Sequence, residues 1–144
     1  MTACALKDLI EMSKDGEWGQ GEPFDDSIEM LAIRGTDFGS VRYGNLDSVP
    51  RRHVAKYVAE RKTLQPWDLL IEAAGGTKGQ ITGRTVLLRP QLFSRADVPI
   101  TCASFSRFIR FRRDLCDPEF MFWYLQYLYE AGFMHAYHTQ HTGV

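Results

Sequence analysis

Trp67–Leu88, WDLLIEAAGGTKGQITGRTVLL, is the stretch from which the rest of the chain can be read. The runs Leu69-Leu70-Ile71 and Val86-Leu87-Leu88 are each of strand length and made of core residues, and Gly75, Gly76, Gly79 and Gly83 break the chain between them. The pattern predicts a buried strand, a glycine-punctuated loop holding Lys78, and a second strand beginning near Arg84. Glycine amides beside a lysine also suit a nucleoside triphosphate, but the order is wrong for a phosphate loop. The lysine precedes the final glycine, no Ser or Thr follows it, and Gly83 opens a strand instead of a helix. Presenting amides, Thr77 and Lys78 to a nucleic-acid backbone uses the same chemistry with less demanding geometry.

A chain of 144 residues, 44% hydrophobic and 24% charged, is expected to form one globular domain over residues 1–144 with a core of its own. The formal net charge of −1 means that any nucleic-acid binding must come from a local patch. Cys4, Cys102 and Cys116 are odd in number and lack CxxC spacing, which points to reduced, buried thiols. No apolar run approaches the roughly 18 residues of a membrane span and no leader pattern opens the chain, so a cytoplasmic location is expected, with no membrane partner.

Upstream of the glycine loop, Ala5–Met12 suits a short helix or an irregular strand. Lys14–Pro23 is a loop whose Trp18 either plugs the core or meets a partner, plugging being favoured. Ile28–Ile33 predicts a strand that ends in Arg34-Gly35-Thr36-Asp37. Such an end delivers a donor fork, open backbone and a hydroxyl to the rim of a sheet, or else a plain Arg34–Asp37 surface pair. Val41–Arg52 carries turn chemistry at Gly44-Asn45, and Arg42, Arg51, Arg52, His53 and Lys56 gather positive charge without matching acids nearby in sequence. For His53–Lys62 the pattern does not decide between helix and strand.

Downstream, a polar excursion over Pro90–Asp97 leads to Val98–Phe111, whose β-branched and aromatic content predicts one long strand. Arg107 and Arg110 would lie on its opposite faces and leave one edge basic. Asp117-Pro118-Glu119 starts a helix: an N-cap acceptor, a proline where no amide is needed, and an acid in the first turn. Its polar residues Glu119, Gln126 and Glu130 form a narrow stripe, so most of the circumference is expected to be buried. Gly132 ends it, and a second helical stretch is expected from Phe133 to about Gln140.

Catalytic arrangements are scarce. A metal-dependent nuclease needs an acid at one strand end and an acid-x-Lys triplet on the next. Asp47 and Glu60-Arg61-Lys62 offer this in sequence, but in polar, turn-flanked surroundings. His135, His138 and His141 drift about 120° across a helix and do not converge on one ion, which leaves a surface row. There is no GxSxG elbow, and no cofactor or metal is expected.

The series "LAIRGTDF", "RKTLQPWDLLIEAAGGTKGQITGR", "ITCASFSRFIRF", "CDPEFMFWYLQYL" and the closing "HTGV" resembles a target recognition domain of the DNA specificity subunit of type I restriction-modification enzymes. The likeness runs from about Leu6 to Val144, and its most specific part is Leu64–Arg84. The resemblance implies an α/β (α+β) domain with a curved, mainly antiparallel sheet flanked by helices, the aromatic-rich C-terminal helix packed on the sheet. It also implies a non-catalytic module that reads one half of a bipartite site in double-stranded DNA, while separate methyltransferase and restriction subunits act. Two departures stand out. Trp67 occupies a position where the family commonly has glycine, and the chain stops where members continue, so one isolated half of a longer specificity subunit is expected.

Lys, Arg and backbone amides then position the domain on phosphates, and Arg, Gln or Thr side chains read bases. The candidate DNA-binding residues are Thr77, Lys78, Gln80, Thr82 and Arg84 on the glycine loop, with Arg34, Thr36, Arg42 and Tyr43 on a neighbouring rim. Two alternatives remain open: a small nuclease using Asp47, Glu60 and Lys62, and a protein-interaction domain that docks through the aromatic helix Phe120–Tyr129.

Overall fold

The computed structural model describes residues 5–73 and 83–132. Among them, Ile10–Asp15 (β1), Ser106–Phe111 (β7), Leu69–Glu72 (β4) and Thr85–Leu87 (β5) form a four-stranded sheet in the order β1-β7-β4-β5. Its pairings are antiparallel, and Leu69, Leu70 and Ile71 lie opposite Leu87, Val86 and Thr85. A second sheet has the order β3-β2-β6: Arg51–Ala55 (β3) pairs antiparallel with Ser27–Ile33 (β2), and Ile100–Cys102 (β6) pairs parallel to it. Four helices accompany the sheets: Phe38–Val41 (α1), Lys56–Lys62 (α2), Pro90–Phe93 (α3) and Pro118–Glu130 (α4). The architecture is mixed α+β and mainly antiparallel as expected, with two sheets where one was anticipated.

The unbroken run Leu69-Leu70-Ile71 has a plain cause: the four-stranded sheet is covered on both faces. Leu70, Val86 and Phe108 face a core shared with Leu31, Ile33, Phe38, Ile100 and Cys102, whereas Leu69, Leu87, Ile109 and Phe111 face Met121, Phe122 and Leu125 of α4. With water on neither side, a strand has no reason to alternate apolar and polar residues. Burial in the first core also pushes the Cys102 thiol up to about 12, so it behaves as a small hydrophobe.

The turn before β4 accommodates its tryptophan by adopting a conformation that glycine would take more easily. Trp67 has φ of 74°, inside the left-handed region, and its amide donates to the Leu88 carbonyl at 2.7 Å. Next to it, Asp68 is fully buried and accepts two hydrogen bonds from Arg110, at 2.9 and 2.8 Å, and one from the Gln65 amide. Arg110 is therefore consumed inside the protein. Arg107 donates to Ser13, and β7 lies between β1 and β4, so the basic strand edge expected from the sequence does not form.

The predicted long strand Val98–Phe111 is two strands. Ala103, Ser104 and Phe105 turn the chain out of one sheet and into the other, with the Ser106 amide donating to the Ala103 carbonyl at 3.0 Å. Ala5–Met12 combines both forms considered for it, a 3₁₀ turn at Leu6–Leu9 and the start of β1. His53–Lys62 is likewise split between the end of β3 and α2. Trp18 is half-buried beneath the Arg52 guanidinium, 4.2 Å from its ring centre, so it caps a side chain and does not plug the core.

Helix α4 starts where predicted, with the Asp117 carboxylate accepting from the Glu119 amide at 3.0 Å. Its outer face was misjudged from the sequence. Met121, Phe122 and Leu125 are buried, but Phe120, Trp123, Tyr124 and Tyr127 are exposed, while Gln126 of the polar stripe turns inward to the Thr85 hydroxyl. A 13-residue helix on the outside of a sheet has only one face to bury, however apolar its sequence.

Candidate nucleic-acid interface

Five backbone segments meet at one edge of the protein. The Glu72 amide donates to the Arg84 carbonyl, and the Gly83 amide to the Glu72 carbonyl, which closes the open end of the β4–β5 pair. The Ala73 amide donates to the Phe105 carbonyl at 2.9 Å, and the Ala103 amide to the Ile33 carbonyl at 2.8 Å. The β6–β7 turn therefore bridges the end of β2 to the end of β4. From the other side, the Gly16 amide donates to the Ser106 carbonyl and the Glu17 amide to the Cys102 carbonyl. A Cβ on Gly16 would lie 1.9 Å from the Cys102 carbonyl oxygen, so this approach requires glycine.

Two guanidinium groups sit on this rim, each anchored to a buried acid. Arg84 Nε donates to Glu72 Oε2 at 2.7 Å, and Glu72 is only 6% exposed. Arg34 donates through Nε and Nη2 to the two oxygens of Asp37, itself 1% exposed, and Nη2 also reaches the Ser48 carbonyl. Burial by itself pushes the Asp37 carboxyl up. The bonds from the Arg34 side chain, the Arg34 amide and the Ser48 hydroxyl outweigh that and hold it below the usual carboxylate value. The bond to Asp37 raises the Arg34 pKa further. The Arg34–Asp37 pair weighed from the sequence thus exists, but with its acid in the interior instead of on the surface.

Gly35 joins the two anchored pairs. A Cβ there would lie 3.3 Å from Glu72 Oε2 and 3.4 Å from Arg84 Nη2, so the backbone of Arg34-Gly35-Thr36 runs directly against the Arg84–Glu72 pair. Thr36 is exposed at the same edge. Of the residues predicted from the sequence, the fold therefore brings Arg34, Thr36 and Arg84 together. Thr77, Lys78, Gln80 and Thr82 lie outside the described residues.

Arg42 and Tyr43 separate from this group. They follow α1 along β5 and reach its far end, where they line a cleft of about 230 Å³ with Leu87, Arg89, Phe122 and Trp123. The Arg42 guanidinium stands 5.6 Å from the Trp123 ring centre and 5.9 Å from that of Phe122, and Arg89 pairs with Glu119 at 2.9 Å. The expected single rim is therefore divided along the length of β5.

Of the other basic residues singled out by sequence, Arg51 and Lys62 find acids across the fold, whereas Arg52 donates to the Trp18 and Gly19 carbonyls. Arg51 pairs with Asp97 and Glu29, and Lys62 with Asp15. The Arg51 bond holds the Asp97 carboxyl below its ordinary value. Local sequence shows only near neighbours, so acids more than 20 residues away did not register. The nuclease triplet also loses its geometry. Glu60 and Lys62 lie on α2, where positions two apart diverge by about 200°. Among the described residues no group of three or more His, Cys, Asp or Glu side chains is placed to hold a metal ion. No described helix is long and apolar enough to cross a membrane.

Ser104 and Phe105 were not singled out from the sequence. Both are exposed at the tip of the β6–β7 turn, on the same edge as Thr36 and Arg84. Read as the middle of one strand they had no special position; the small pair Ala103-Ser104 inside an otherwise bulky run was the available signal.

No family model and no curated protein matches the sequence. Among solved structures, the chain is similar to the crystal structure of an HsdS subunit from Thermoanaerobacter tengcongensis, with a TM-score of 0.45 and 20% sequence identity. The match covers 82% of this chain and 26% of that one, so the chain spans about a quarter of that protein's length.

Proposed function

We propose that the protein is a non-catalytic DNA-recognition domain which reads one half of a bipartite site in double-stranded DNA. It would serve as the target recognition domain of a type I restriction-modification specificity subunit, in a complex whose methyltransferase and restriction subunits do the chemistry. The observation that supports this is the contact of Gly35 with the Arg84–Glu72 pair. It brings together at one edge Arg34-Gly35-Thr36 and Arg84, two of the segments read from the sequence as carrying candidate DNA-binding residues. On that edge Arg34 and Arg84 present the guanidinium donors not taken by Asp37 and Glu72, and Thr36 presents a hydroxyl. Lys78, Thr77, Gln80 and Thr82, which lie outside the described residues, would add a positive charge and groups able to bond base edges. Arg42 and Tyr43, further along β5, would meet the flanking backbone.

The test is binding of the full chain to a randomised duplex pool at low salt, followed by titration in rising salt. Enrichment of a short sequence is expected, and Lys78→Ala should weaken binding and reduce the salt slope by about one. Failure to enrich any sequence over an arbitrary duplex rejects the proposal.

A second function is favoured by a different observation, the exposed row Phe120, Trp123, Tyr124 and Tyr127 on α4. Spaced i, i+3, i+4 and i+7, these rings suit a protein partner. Partner binding that survives charge reversal at Lys78 and Arg84 but fails in Trp123→Ala would promote it over DNA recognition.

A further inference from the structure

Phe105 is an apolar ring, 69% exposed, on a rim that also carries the polar or cationic side chains of Thr36, Ser104, Arg34 and Arg84 and, among the described residues there, has no other large exposed apolar side chain. One exposed aromatic is unremarkable by itself. What distinguishes Phe105 is how firmly its backbone is held. The Ser106 amide bonds Ala103, the Ala103 amide bonds Ile33, the Ala73 amide bonds the Phe105 carbonyl, and the Trp18 amide bonds the Ser104 hydroxyl at 3.2 Å. One internal hydrogen bond and three to separate segments thus fix a four-residue turn that presents only Ser104 and Phe105 outward. A ring on so rigid a base loses little freedom on binding, which favours its use as a contact.

Arg34 and Arg84 stand beside this turn, each fixed by a buried acid. The guanidinium donors left over from these acids suit phosphates or guanine acceptors, and neither they nor Ser104 can recognise an apolar group. The major groove presents one apolar group, the C5-methyl of thymine. We propose that Phe105 is a specificity-determining residue that packs on a thymine C5-methyl in the half-site. Its role rests on the DNA-recognition function proposed above.

The test takes a duplex enriched by the full chain and replaces each thymine singly by deoxyuridine, which removes only the methyl group. The parent should lose about three- to five-fold in affinity at one thymine, the worth of one buried methyl. Phe105→Ala should bind the unsubstituted site more weakly and show no further loss at that position, and Phe105→Leu should retain part of the discrimination. Because the ring is largely exposed and the turn is held by main-chain bonds and Ser104, thermal unfolding of these variants should match the parent.

A parent that enriches no sequence overturns the DNA-recognition function and this role with it. A parent that enriches a site, with Phe105→Ala giving an unchanged deoxyuridine profile, overturns the role of Phe105 alone. So does uniform weakening of all duplexes in Phe105→Ala, which is the behaviour of a wedge between base steps.

Discussion

Arg84 holds Glu72 at the mouth of the β4–β5 pair, and the acid it holds is buried while the arginine remains partly open to solvent. One guanidinium is thus asked to neutralise the interior and to face outward. Prediction: Arg84→Ala leaves a buried carboxylate unpaired and destabilises by about 2–3 kcal/mol, at the lower end for such pairs because Arg84 is partly exposed. Arg84→Met with Glu72→Met should recover most of that stability while leaving DNA binding impaired. Urea unfolding checks the first outcome and duplex binding the second. A double variant as unstable as Arg84→Ala would show that the pair is not the cause.

Asp37 gives the fold an acid-sensitive point. Its carboxyl titrates below its ordinary value of 3.8 in the folded state, so the unfolded chain binds that proton more readily. The contribution is complete above about pH 4 and is lost as pH falls through the depressed folded value. Asp37→Asn should be less stable at neutral pH by about 1–3 kcal/mol, since the Arg34 fork loses its charged acceptor. It should also lose stability less steeply under acid than the parent. Parallel stability–pH curves below about pH 4 would contradict this.

Trp67 combines an unfavourable backbone conformation with useful packing against the α4 core. Trp67→Ala keeps the left-handed φ and discards the ring, whereas Trp67→Gly discards the ring and relieves the backbone. The glycine variant should therefore be the more stable of the two by about 1 kcal/mol, the reverse of the usual ordering of alanine and glycine. Thermal unfolding of the pair decides it, and an alanine variant equal or superior would mean the turn relaxes.

Two adjacent aromatic residues of α4 should behave very differently. Phe122 is 2% exposed and packs on Leu69, Leu87 and Ile109, so Phe122→Ala should cost about 3–5 kcal/mol. Trp123 is about half exposed, and Trp123→Ala should cost well under about 2 kcal/mol. Comparable losses would mean that the outer face of the helix is covered.

Local features of the fold were legible wherever a residue type has a local physical consequence. The N-cap at Asp117, the proline behind it, the paired runs at Leu69–Ile71 and Val86–Leu88, and the strand ending at Arg34 all follow from backbone chemistry within a few residues. The break at Ala103–Phe105 was not legible, because turns that carry a chain from one sheet to the next are decided by the partners waiting there, here Ile33 and Ala73. The basic clusters misled for the same reason: Asp97 is far from Arg51 in sequence and adjacent in space.

The candidate site divides along that line. The sequence by itself determined that Arg34-Gly35-Thr36 ends a strand and that Arg84 begins one, because apolar runs and glycines act on their own neighbourhood. Only the tertiary structure decided that these two ends touch through Gly35, that both arginines are tied to buried acids, that Arg42 and Tyr43 lie apart, and that Phe105 stands on the same rim. Contacts between distant segments depend on how two sheets stack and share a core, and that balance is set by the whole chain at once.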